Sequence, residues 1–128
     1  MAISWLYRRL ERLDLTIPPL MQYADCLMAT RGALRTCIPA NHHKAVALRC
    51  TADTSVLKDD MSFGNVGVEI EDVIRMNASC MAVQCFVGSA GELDSLRNLS
   101  YYVNMGERFA IPVLGVVAVG KEMERTTR

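Results

Sequence analysis

The residues with the most chemical capacity are few and scattered. Lysine occurs only as Lys44, Lys58 and Lys121. An amine nucleophile for carbonyl chemistry needs a desolvated position that lowers its pKa. Lys121 alone stands just past an apolar run, directly after Gly120, which makes it the Schiff-base candidate of this sequence. A lysine opening an exposed helical turn beside Glu122 and Glu124 explains the same spacing. Arg31 follows the first apolar run and Arg49 ends the second. At the carboxyl end of a parallel strand a guanidinium can clamp phosphate or carboxylate with two parallel hydrogen bonds, so both are candidate substrate-binding residues. Gly88-Ser89-Ala90-Gly91 lies between an apolar run and a helix start, where backbone N–H groups can hold an anion. It matches neither the dinucleotide nor the Walker pattern, and a plain strand-to-helix turn accounts for it better.

The remaining polar groups suggest less. His42-His43 sits in a turn-like stretch without further ligands at metal-binding spacing, so no metal is expected. Glu69, Glu71 and Asp72 read as the acidic first turn of a helix, favoured by its dipole, and not as an acid–base pair. The five cysteines (Cys26, Cys37, Cys50, Cys80 and Cys85) contain no C-x-x-C pair. Most lie in or beside apolar runs, as expected of reduced structural thiols in a cytoplasmic protein.

Those side chains need a scaffold. Of the 128 residues 51% are apolar and 22% charged, a globular composition, and fourteen basic residues balance fourteen acidic ones. Without a basic surplus or stripe, nucleic acid is not an expected partner. No apolar run reaches the ~18–20 residues that span a bilayer, so no membrane partner is expected. Arg8, Arg9 and Arg12 follow the short amino-terminal apolar patch, the reverse of a secretory signal.

Four continuous apolar runs predict strands buried on both faces: Asp25–Ala29, Ala45–Cys50, Cys80–Val87 and Ile111–Val119. Helical patterns lie between them. Leu20–Tyr23 is expected to finish a short helix begun after Pro18 and Pro19. Glu69–Asn77 carries Ile70, Val73 and Ile74 at helical spacing. A longer helix from Glu92 to Arg108 carries a stripe of Leu93, Leu96, Leu99, Val103 and Phe109. Lys121 opens a last turn, and Leu6, Leu10, Leu13 and Ile17 predict an amphipathic amino-terminal helix. The order is strand, short helix, strand, loop, helix, strand, helix, strand, helix start. Such alternation implies parallel crossovers, in a small doubly wound sheet or an incomplete barrel.

Several stretches carry a family resemblance: Leu10–Leu15 (LERLDL), Ala24–Arg35 (ADCLMATRGALR), Val46–Arg49 (VALR), Met76–Cys80 (MNASC), Val87–Ser89 (VGS), Ser95–Leu99 (SLRNL) and Ile111–Met123 (IPVLGVVAVGKEM). Through them the chain resembles the DhnA-type, archaeal-style class I aldolases, and within that family the thiolase branch of autoinducer-2 processing. The tyrosine-proline-arginine-glycine pattern that ends the fifth strand of the sugar-bisphosphate aldolases is absent.

The resemblance implies an α/β fold: a partial TIM (β/α)8 barrel of about four parallel strands, equivalent to strands two to five, with flanking helices, in proteins about twice this length. It implies one partial domain over 1–128, a divergent amino-terminal helix over 1–9 and an aldolase-like half barrel over 10–128. The implied chemistry is lysine Schiff-base cleavage of a phosphorylated ketose-like substrate, or acetyl transfer with coenzyme A as co-substrate, without a metal. The family's Asp-His-Gly motif has no match in Met1–Arg9. Its Schiff-base lysine on strand six and its phosphate loops have no matching positions. Lys121 corresponds to a different family lysine, after strand five, while Arg31 and Arg49 match positions near the active-site rim. The sequence is thus identified as a truncated member, expected to be inactive alone. A half-barrel subunit that self-associates or needs a complementing chain, and a small non-catalytic binding module, are the alternatives.

Overall fold

The computed structural model describes residues 12–54, 57, 60 and 62–126, with the side chain of residue 124 excepted. The expected helix through Leu6 and Leu10 falls, up to residue 11, outside these residues, as does Lys58.

The four apolar runs form the four strands of one sheet: β1 (Cys26–Thr30), β2 (Ala45–Arg49), β5 (Cys80–Val87) and β6 (Val113–Val119). They lie side by side in chain order and all are parallel. Between β2 and β5 the chain adds a two-stranded antiparallel ladder, β3 (Thr51–Ala52) with β4 (Asn65–Val66), which no periodicity announced. The helices are α1 (Leu13–Leu20), α2 (Arg31–Thr36), α3 (Ile70–Arg75), α4 (Glu92–Phe109) and α5 (Lys121–Thr126).

Sequential order has a consequence. Parallel crossovers are right-handed, so connections that always step to the next strand in one direction lay every helix on the same face. A doubly wound sheet reverses direction at a switch point, and none occurs among these four strands. The side chains agree. Val46 and Leu48 of β2 and Met81 and Val83 of β5 are buried together with Ile70 and Val73 of α3 and Tyr102 of α4. The register pairs Leu48 with Met81 and Arg49 with Ala82. By the two-residue alternation of a strand, Ala47, Arg49, Ala82 and Gln84 therefore occupy the opposite, inner face. This is one wall of a barrel, with helices outside.

Tyr102 joins the layers. Its hydroxyl, fully buried, donates to the carbonyl oxygens of Cys50 and Val68, each at 2.8 Å. The Cys50 carbonyl also accepts from the Gly67 N–H at 2.8 Å. One side chain of α4 thus holds the end of β2 to the segment leading into α3, and burial pushes its phenol pKa up.

Three expectations need correction. The outer strands β1 and β6 are not buried on both faces: Met28, Leu114, Val117 and Val119 are exposed. The helix near Pro18 and Pro19 does not begin after them: α1 contains both, and Met21–Tyr23 follows as a 3-10 turn. Proline's fixed φ is itself helical, and the Met21 N–H resumes the ladder on the Ile17 and Pro18 carbonyls. On α4 the apolar stripe is not the buried face. Leu93, Leu96, Val103 and Phe109 are exposed, whereas Ser95, Tyr102 and Gly106 are buried. Small residues let the helix approach the sheet closely, with Tyr102 filling the space between them, and of the stripe only Leu99 packs against the core.

Replacing Tyr102 by Phe leaves two buried carbonyls one donor short. The expected cost is about 1–3 kcal/mol of unfolding free energy, read from urea denaturation. An unchanged midpoint would show that the hydroxyl is not a structural tie.

Candidate functional site

Because the strands are parallel, their carboxyl ends gather along one rim, where barrel enzymes place their sites. Thr30, Arg49, Val87 and Val119 end the four strands here. Arg31, the Thr51–Asp53 stretch, the Gly88–Gly91 turn and Lys121 follow them.

Arg49 lies on the inner face by register, and its guanidinium pairs with the Asp53 carboxylate. Thr51 fastens this corner to the sheet by accepting from the Gln84 N–H at 3.0 Å. The second Asp53 oxygen is buried without a hydrogen-bond partner among the described residues. Arg31 faces elsewhere. It opens α2, whose Thr30 cap accepts from the Ala33 N–H, and it pairs with Asp72 of α3 in the helix layer. Asp72 also stands 3.7 Å from Arg35 and 3.8 Å from Arg75. The structure therefore does not bring the two candidate arginines to one face.

The glycine turn spends several of its amides within the chain. The Gly88 N–H donates to a Glu92 carboxylate oxygen at 2.6 Å, and the Gly91 N–H to the Ser62 hydroxyl at 3.3 Å. The Glu92 and Ser95 amides are used within the turn and helix. A carboxylate from the chain's own first helical turn thus caps the Gly88 amide. The turn is also tightly enclosed. Gly88 has φ +69°, and a Cβ on Gly120 would lie 2.3 Å from the Gly88 carbonyl oxygen. Only glycine permits the β5 and β6 ends to meet so closely.

Lys121 is exposed at the start of α5. Its charge helps hold the Asp60 carboxyl below its usual range, an effect due first to the hydrogen bonds from Ser62. Burial of the kind that frees an amine for nucleophilic attack is not what surrounds it. His42 accepts from the Lys44 N–H through Nδ1 at 2.9 Å, a local turn contact. All five cysteines are free thiols, and burial pushes the Cys50 thiol up to about 12, which keeps it protonated and inert. Among the described residues no group of three or more His, Cys, Asp or Glu side chains is arranged to hold a metal ion.

Sequence reasoning did not find Asp53, Ser62 or the inward turn of Glu92. Asp53 stands four residues after Arg49, but that spacing means contact only on a helix, and here the chain bends through β3. Ser62 carries no local signal. Glu92 reads as an ordinary first-turn acid until its reach back to Gly88 is seen.

No protein-family profile matches the chain. An uncharacterized aldolase of Pasteurella multocida is 43% identical over 119 residues, which are 93% of this chain and 41% of that protein. The 3-hydroxy-5-phosphonooxypentane-2,4-dione thiolase of Klebsiella pneumoniae is 44% identical over 119 residues, 93% of this chain and 40% of the thiolase. The chain thus spans about two fifths of the length of these relatives. Among solved structures, an archaeal fructose 1,6-bisphosphate aldolase superposes with a TM-score of 0.65 at 16% identity, covering 94% of this chain and 44% of that one. An archaeal fructose-1,6-bisphosphate aldolase with its catalytic lysine bound to the carbinolamine intermediate gives a TM-score of 0.67 at 15% identity, covering 84% and 47%. These likenesses establish the fold as part of an aldolase-type barrel.

If Glu92 fills the glycine turn, Glu92→Ala should cost about 1–2 kcal/mol, and inorganic phosphate should raise the melting temperature of the variant but not of the parent. Equal stabilisation of both by phosphate would mean that the turn is open as it stands.

Proposed function

We propose that the chain belongs to the DhnA-type class I aldolase family and that these residues form the substrate-framing wall of a barrel enzyme acting on phosphorylated ketose-like compounds. The reaction is carbon–carbon cleavage or acetyl transfer to coenzyme A through a lysine Schiff base, and this stretch by itself does not turn over. The observation that carries the reading is 43% identity over 119 residues to a protein named an aldolase, in a chain whose sheet is wound on one side only.

Arg49 supports the framing role. It stands at the carboxyl end of β2, on the inner face, and Asp53 holds its guanidinium. A fixed planar guanidinium there suits the anionic end of a phosphorylated substrate. Arg31, tied to Asp72, acts one layer further out and supports the rim through α2. Lys121 is exposed at the start of α5, and this reading assigns the Schiff-base role to none of Lys44, Lys58 and Lys121. Coenzyme A is a co-substrate in the thiolase variant, and neither variant needs a metal. A cytoplasmic setting belongs to the same reading, since five free thiols suit a reducing compartment. No helix among the described residues is long and apolar enough to cross a membrane.

Borohydride reduction in the presence of a phosphorylated ketose, followed by intact mass, tests this directly. The expected spectrum shows the unmodified chain. An adduct on Lys121, Lys44 or Lys58 would contradict the reading by giving these residues a working amine.

A further inference from the structure

The inner face of the sheet carries a polar side chain that neither the fold nor the Arg49 corner uses. On β5, Met81, Val83 and Cys85 are buried on the outer face, so Gln84 points to the inner one. It stands opposite Val116 of β6, with Ala82 and Phe86 on either side of it along its own strand. None of these neighbours has a side chain that can hydrogen-bond. The carboxamide is half-buried and makes no hydrogen bond among the described residues. Such a group offers two donors and a carbonyl acceptor, and leaving them unmatched in a partly dry site is costly.

Two polar side chains border Gln84 on the β2 side. Thr51 is engaged, its hydroxyl accepting the Gln84 backbone N–H at 3.0 Å. The other is Arg49, whose register partner is Ala82. The Cα atoms of Arg49 and Gln84 are therefore separated by a diagonal of about 8 Å, one strand across and two residues along. Asp53 lies beyond the end of β2, so its ion pair draws the guanidinium toward the rim, the direction in which Gln84 lies. Asp53 takes one guanidinium N–H, and a guanidinium has five.

We propose that Gln84 is a substrate-binding residue of this wall, its carboxamide hydrogen-bonding the neutral carbonyl or hydroxyl oxygen next to the phosphate that Arg49 holds. The proposal rests on the framing role given to Arg49 above and adds which part of the ligand the wall reads. In a ketose phosphate a single methylene and the ester oxygen separate carbonyl from phosphorus, a span that two long neighbouring side chains meet together. A carboxamide donates to a carbonyl and accepts from a hydroxyl, so it suits either group of a ketose. It does not suit a second anion: Arg31 is tied to Asp72 in the helix layer, and Lys121 stands at the start of α5, outside the sheet.

The test is nuclear magnetic resonance of the isotope-labelled chain, following the Gln84 side-chain NH2 and the Arg49 Nε–H during titration. Two probes are compared: dihydroxyacetone phosphate, and n-propyl phosphate, a phosphate ester of the same carbon number without the neutral oxygens. The first is expected to move both signals and the second to move Arg49 alone. Gln84→Leu should weaken binding of dihydroxyacetone phosphate about three- to tenfold, leave n-propyl phosphate unchanged and keep the backbone spectrum of the parent. A Gln84 signal that stays in place while Arg49 responds would overturn the proposal and leave the framing reading standing. So would a Gln84 signal moved equally by both probes, or a Gln84→Leu variant that loses both equally, the mark of a structural role. If neither probe moves Arg49, the framing reading fails and the proposal falls with it.

Discussion

The structure depends on a buried phenol. Among the described residues Tyr102 is the one large polar side chain inside the outer layer, and its hydroxyl finds two carbonyl partners, at Cys50 and Val68. A hydroxyl at that depth without partners would cost several times the net value of an ordinary hydrogen bond, so α4 can dock in one rotation and one height only. That docking turns Ser95 and Gly106 toward the sheet and sets the Ser95 hydroxyl to accept from the Phe86 N–H at 3.1 Å. It also pins the irregular stretch between β2 and α3, because Cys50 and Val68 bracket the small β3–β4 ladder. The position of Asp53, and through it the Arg49 guanidinium, follows from that pinning.

The second constraint is one-sided winding. All the described helices that connect strands lie against one face, so the other carries residues suited to a barrel interior: small at Ala47 and Ala82, which are buried between larger neighbours, and larger at Met28 and Leu114, which are exposed. The same geometry concentrates the polar residues at the carboxyl rim, where Arg49, Asp53, Thr51 and the Glu92-filled glycine turn meet. The rim carries the Arg49–Asp53 pair and the Glu92 carboxylate, and among the described residues no lysine there is buried.

Much of this was legible in the residues, and the reasons are physical. Strands buried on both faces read as unbroken apolar runs, so Cys80–Val87 is recovered to the residue and Ala45–Arg49 to within one. The α4 boundaries follow from Gly91 and the acidic first turn. What stayed hidden depends on partners distant in sequence. The α4 stripe misleads because Ser95 and Gly106, chosen for close approach, look like surface residues. The Arg31–Asp72 pair spans 41 positions, and nothing local says that this arginine turns outward while Arg49 turns inward. The ladder of Thr51–Ala52 with Asn65–Val66 is too short to show a period.

The account rests on the claim that helices cover one face of the sheet and leave the other to the barrel interior. Nuclear Overhauser contacts from methyl groups test it most directly. The account predicts cross-peaks from Leu48 and Val83 to the Tyr102 ring or to Val73 of α3, and none from the Ala47 and Ala82 methyls to any residue of α3 or α4. Contacts from those alanines to either helix would mean that helices flank both faces, and the barrel-wall description would be wrong.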